Sequence, residues 1–125
     1  MSRLTGIVFL VGVLLVVGHN RPVWATMDNL KTVKQAYPDR DPKASSCKLC
    51  HLNAIGKQGE HNAYGLALQK LKAPGEVKTL TVEDLRVIEH EDADGDGASN
   101  RDEILAGTNP GDLTAVPNGS GRRVE

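Results

Sequence analysis

Aromatic side chains are nearly missing from this chain of 125 residues, which holds one Phe, one Trp and two Tyr. Phe9 and Trp24 stand in its first 25 positions, so Tyr37 and Tyr64 are the only phenyl rings beyond them. A surplus of one charge is missing as well. The 15 Lys and Arg balance 16 Asp and Glu for a net charge of −1. That excludes the broad basic surface that neutralises phosphates, and no nucleic-acid partner is expected. Cysteine is scarce: two residues cannot staple a small secreted fold in the manner of a disulfide framework. Alternation of apolar and polar residues is absent, which argues against half-buried strands. Long apolar runs are limited to Leu4–Gly18. As a helix at about 1.5 Å per residue this run reaches about 22 Å, short of the ~30 Å hydrocarbon core of a bilayer.

The opening "MSRLTGIVFLVGVLLVVGHNRPVWA" therefore reads as a secretory signal peptide over residues 1–25. Arg3 supplies the positive start, and Val23 and Ala25 are compact residues before a cut after Ala25. A periplasmic or otherwise exported location is expected. The remaining chain then carries 19 Leu, Ile and Val residues among positions 26–125, near the ~20% below which a core is hard to build. Small domains of this kind gain stability from metals or cofactors, so something other than side chains is expected to fill the centre.

What is present is helical periodicity. Leu30, Val33 and Tyr37 form one stripe, Tyr64, Leu68 and Leu71 a second, and Val82, Leu85 and Ile88 a third. Thr81 and Asp84 have the spacing of a capping box. The expected class is all-α, with four or five short helices. Gly65 inside the second stripe costs a helix ~1 kcal/mol relative to alanine, so a close neighbour is expected against it.

Both cysteines lie in "SSCKLCHLN", residues 45–53. Three chemistries suit a C-x-x-C pair. A redox disulfide prefers a helix start within a βαβ pattern, which is absent here. A zinc corner wants a second spaced pair, with His51, His61 or His90 as the available completion. Covalent haem needs two thiols for two vinyl groups and a histidine directly after them for the iron. Cys47, Cys50 and His51 have that spacing in full. Through these residues the region resembles the small single-haem c-type cytochromes. The resemblance implies thioether bonds at Cys47 and Cys50, and His51 as the proximal iron ligand. The downstream methionine usual in such carriers is absent. His61 is the leading candidate for the sixth ligand, ahead of Met27, His90 and an open position.

Residues 92–103, "DADGDGASNRDE", fill every position of a twelve-residue calcium loop. Asp92, Asp94 and Asp96 supply carboxylates, Ala98 a carbonyl, Asn100 a side-chain oxygen and Glu103 the final carboxylate, with Gly97 at the sharp turn. With "NRDEILAGTNPGD" the stretch is similar to EF-hand-like and thrombospondin type 3 calcium repeats of exported proteins.

The expected organisation is a signal peptide (1–25), a haem region (26–80), a helix–calcium loop–helix element packed on it (81–112) and a flexible tail (113–125). The expected function is electron transfer by one haem c, stabilised by one calcium ion, with a redox partner protein in the periplasm or at the membrane surface and no enzymatic group. Two alternatives stay open: a haem-based sensor or peroxidase-like protein with an open sixth position, and a calcium-binding interaction module with a structural or redox CxxC.

Overall fold

The computed structural model describes residues 25–55, 60–73 and 79–118. All but the last residue of the expected signal peptide, and the end of the expected tail, lie outside the described residues. Four α-helices account for the regular structure: α1, Ala25–Ala36; α2, Ala63–Lys70; α3, Val82–Val87; α4, Asn100–Ala106. Two short 3-10 turns, Pro42–Ala44 and Cys47–Leu49, separate α1 from α2. No strand occurs among the described residues; a single antiparallel bridge joins His51 to His61. The chain is all-α, as its periodicity predicts. None of the described helices is long and apolar enough to cross a membrane.

The last three helices have 8, 6 and 7 residues. Isolated helices of fewer than ~12 residues are marginal in water, so caps and packing must hold these. Each has its cap. Asn62 accepts from the Gly65 N–H at the start of α2. Thr81 and Asp84 form both halves of the capping box on α3. Ser99 caps α4, and Gly107 ends it in the left-handed region at φ 78°.

Packing supplies the rest. Val33 and Ala36 of α1 and Tyr37 just after it meet Leu85 and Ile88 of the α3 segment, with Tyr64, Leu68, Leu49, Ala44 and Ile104 completing one cluster. The Tyr37 hydroxyl donates to the Leu85 carbonyl, and Arg86 lies over the Tyr37 ring while donating to the Ala36 carbonyl. Full burial of a side chain such as Leu85 or Ile104 stabilises by about 1.5–3 kcal/mol, and both are 0% exposed.

Among the described residues this cluster is built chiefly of Tyr64, Tyr37, Leu85 and Ile104, and the cysteine turn lies at its rim with both cysteines half-buried. Two tyrosines do the work that a larger aromatic set does elsewhere. The second stripe is narrower than predicted: Leu71 lies past the end of α2 and is 37% exposed.

Candidate functional site

The cysteine turn is built from backbone contacts. The Cys47 carbonyl accepts from the N–H groups of both Cys50 and His51, which winds residues 47–51 into one tight turn. The Asn62 N–H donates to the Cys50 carbonyl, and the Leu52 N–H donates to that of Glu60. These bonds lay the segment after the motif antiparallel to the start of α2. Gly65 explains itself here: a Cβ at this position would lie 2.1 Å from the Cys50 carbonyl oxygen. The neighbour expected from its place in a helix is the cysteine turn.

The same pairing brings His51 and His61 together. Their rings lie 4.7 Å apart between centroids, inclined by 30°. His51 Nδ1 is 3.2 Å from the Glu60 carbonyl oxygen. A proton on Nδ1 makes that contact a hydrogen bond and leaves Nε2 as the basic nitrogen, the arrangement that orients a metal-binding imidazole. The two rings are in contact, so an iron could be shared between them only after His61 draws away from His51. The other two candidates for the sixth position are remote in sequence and exposed: Met27 on α1 is 63% exposed, and the side chain of His90 is 80% exposed beside Glu89.

The thiols lie nearby without converging. Both cysteines are free. Burial, with the neighbouring Cys47, pushes the Cys50 thiol up to about 12, opposite to the lowered value that activates a redox CxxC. Among the described residues, the group of three or more Cys, His, Asp or Glu donors that closes to within 4.8 Å is Asp92, Asp94 and Asp96. Cys47, Cys50, His51 and His61 therefore form no tetrahedral cluster of the kind that structural zinc requires. Thioether attachment needs no such convergence, since each sulfur goes to its own carbon and the imidazole alone goes to iron.

The acidic loop is organised differently. Asp92 accepts from Gly95 and Gly97, Asp94 from Asp96, and Asp96 from Ala98, so each carboxylate is held by a backbone N–H two to five residues on. Gly95 and Gly97 take φ of 83° and 97°, values that a side chain would oppose. Glu103 reaches in from α4 and is 0% exposed. One of its oxygens accepts from the Thr108 hydroxyl. Its other oxygen, Oε2, is buried with no hydrogen-bond partner, as are one oxygen each of Asp94 and Asp96. Desolvation, then Asp94 and Asp96, pushes the Glu103 carboxyl up to about 8. Buried carboxylate oxygens without donors, facing other carboxylates, are what a hard cation would relieve.

Two asparagines hold these segments in place. Asn100 is fully buried, and its amide donates to the Ile88 carbonyl while its oxygen accepts from the Ala93 N–H. It stitches the base of the loop. Asn62, overlooked in the pattern, is buried and holds the cysteine turn through its side chain. Only its place before a helical stripe could have marked it, as a cap. No known family, curated protein or solved structure matches the chain.

Proposed function

We propose that the chain is an exported electron carrier with one covalently attached haem and one structural calcium ion. The observation that carries this reading is the tight turn of Cys47, Cys50 and His51, with His51 Nδ1 directed to the Glu60 carbonyl and Nε2 left for a metal. Cys47 and Cys50 would hold the group, each by adding its S–H across one vinyl C=C, with a C–S bond in place of the π bond and the hydrogen on the neighbouring carbon. Bound in this way, the group supplies a one-electron iron couple. The protein's part is to fix the two sulfurs, orient the His51 imidazole through Glu60 and limit access to the iron. Exposed Leu52 and Ile55, directly after the motif, offer apolar cover for a macrocycle at the rim of the core.

Calcium rests on the second site. Asp92, Asp94, Asp96 and Glu103 would hold the ion, with the Ala98 carbonyl as a further oxygen, and its role would be to relieve the buried carboxylates. A lone loop of this kind, in a chain without a methionine-rich groove, suits a structural clamp better than a sensor.

The experiment is an absorption spectrum of the full chain exported from cells with intact haem-maturation machinery, reduced and in pyridine. The signature of a haem with two thioether bonds is expected, and His51→Ala should change the iron ligation while both bonds remain. Colourless protein would overturn the reading.

One observation favours a second reading, a calcium-stabilised interaction module whose CxxC is structural. The buried apolar side chains form one cluster, which supports a fold that stands without a macrocycle. Under that reading the same preparation is colourless and calcium still raises its melting temperature.

A further inference from the structure

We propose that Asn62 is the positioning residue of the cysteine turn: its amide fixes residues 47–51 in the shape that sets two thiols and one imidazole for attachment. The inference rests on the haem reading for its purpose, and on backbone accounting for its content. A 3-10 turn of three residues leaves its last carbonyls without intrahelical donors. Lys48, Leu49 and Cys50 contribute three such carbonyls in succession. Asn62 meets all three. Its side-chain Nδ2 donates to Lys48 at 2.9 Å and to Leu49 at 3.0 Å, and its own N–H donates to Cys50 at 3.0 Å. Asn109 adds a second donor to the Lys48 carbonyl at 3.0 Å.

The surroundings are shaped for this one side chain. Asn62 is 5% exposed. A Cβ at Gly111 would lie 2.3 Å from the Asn62 Cγ, and one at Gly65 would strike the Cys50 carbonyl. Two glycines thus admit the amide on one side and the turn on the other. The Asn62 oxygen is separately occupied, accepting from the Gly65 N–H as the cap of α2. One residue therefore has two separable duties: its oxygen caps a helix and its nitrogen holds the turn. Only asparagine combines both at this length. Aspartate keeps an acceptor and has no donor, serine keeps an acceptor and one shorter O–H that cannot serve two carbonyls, and glutamine is one methylene longer.

The chemical consequence is pre-organisation. Two sulfurs and an imidazole must reach three separate points on one flat group, and a turn free to fray would have to be ordered at each bond formed. Asn62 does not touch the group, so its effect is on how attachment completes.

The test separates the two duties in the full chain. Asn62→Asp and Asn62→Ser keep a capping oxygen and remove the amide that donates to both Lys48 and Leu49. In chain prepared without haem, each should raise the rate of thiol alkylation at Cys47 and Cys50 by about tenfold, the loss of two ordinary hydrogen bonds, with helical circular dichroism unchanged. In chain prepared with the maturation machinery, each should raise the share of haem-bearing protein that retains one free thiol. Simple loss of stability would lower yield without changing that ratio. Unchanged alkylation in both variants overturns the proposal, and so does faster alkylation accompanied by loss of helix, since Asn62 would then act as a cap alone. Colourless wild-type protein sinks the haem reading, while the alkylation result still decides whether Asn62 holds the turn.

Discussion

The cysteine turn and the acidic loop are both short, glycine-flanked segments that present ligand atoms, and they differ in what the protein itself completes. In the turn, the carbonyls of residues 48–50 all find donors, and the thiols and imidazoles do not close into one cluster. In the loop, three carboxylates converge within 4.8 Å, and oxygens of Asp94, Asp96 and Glu103 are buried without partners. The turn is finished as protein, and chemistry is added to it. The loop carries an electrostatic debt that a cation would offset. It follows that calcium should act on folding, whereas haem should act on function with little effect on the fold.

The largest expected effect breaks the turn from behind. Gly65→Ala forces a Cβ into the Cys50 carbonyl, which lies in backbone and cannot step aside. A loss of about 3 kcal/mol is expected from such overpacking, read as a shift of the urea midpoint. Next comes the loop. Calcium at a hundred times its dissociation constant should stabilise the fold by about 2.7 kcal/mol, and Glu103→Gln should remove most of that gain. Melting curves in EDTA and in millimolar calcium check both, and coincident curves would mean that the acidic residues are a solvated surface turn.

The metal-free loop should also betray itself through pH. The Glu103 carboxyl ordinarily titrates near 4.5 and is pushed up to about 8 in the fold. Between those values the folded chain holds a proton that the unfolded chain releases. Its contribution to stability is complete below about pH 4.5 and is lost as pH rises through about 8. In EDTA, therefore, the urea midpoint should fall between pH 5 and pH 8, and calcium, which takes the place of that proton, should remove the fall. The smallest effect is a control on α3. Thr81→Ala removes the capping box and should cost about 1 kcal/mol, with calcium affinity and thiol reactivity both unchanged. A change in either would show that α3 transmits strain to one of the two sites.

Legibility in the sequence followed how local the cause was. The capping box at Thr81, the stripe of Val33 and Tyr37 and the glycine turns of the loop depend on neighbours within a few residues, and their spacing predicts them. Gly65 was legible as a close approach because a helix interior resists glycine without a reason. Composition counts aromatics without showing that Tyr37 and Tyr64 meet in one cluster. Asn100 has a part that a loop pattern does not show: its amide closes the loop base between Ile88 and Ala93. Asn62 and Asn109 were beyond reach for a similar reason. Their partners on Lys48 lie 14 and 61 residues away, and no local period connects them. The stretch just after α4 packs Pro110 and sets Asn109 on the cysteine turn.

The most direct measurement is the intact mass of the chain exported with haem-maturation machinery, taken under denaturing conditions that strip any group held without a covalent bond. The structure's turn of Cys47, Cys50 and His51 predicts the mass of the processed polypeptide plus one haem, with no free thiol left to alkylate. A mass equal to the polypeptide alone, with two alkylatable thiols or one internal disulfide, would contradict haem attachment and leave the calcium loop as the only cofactor site.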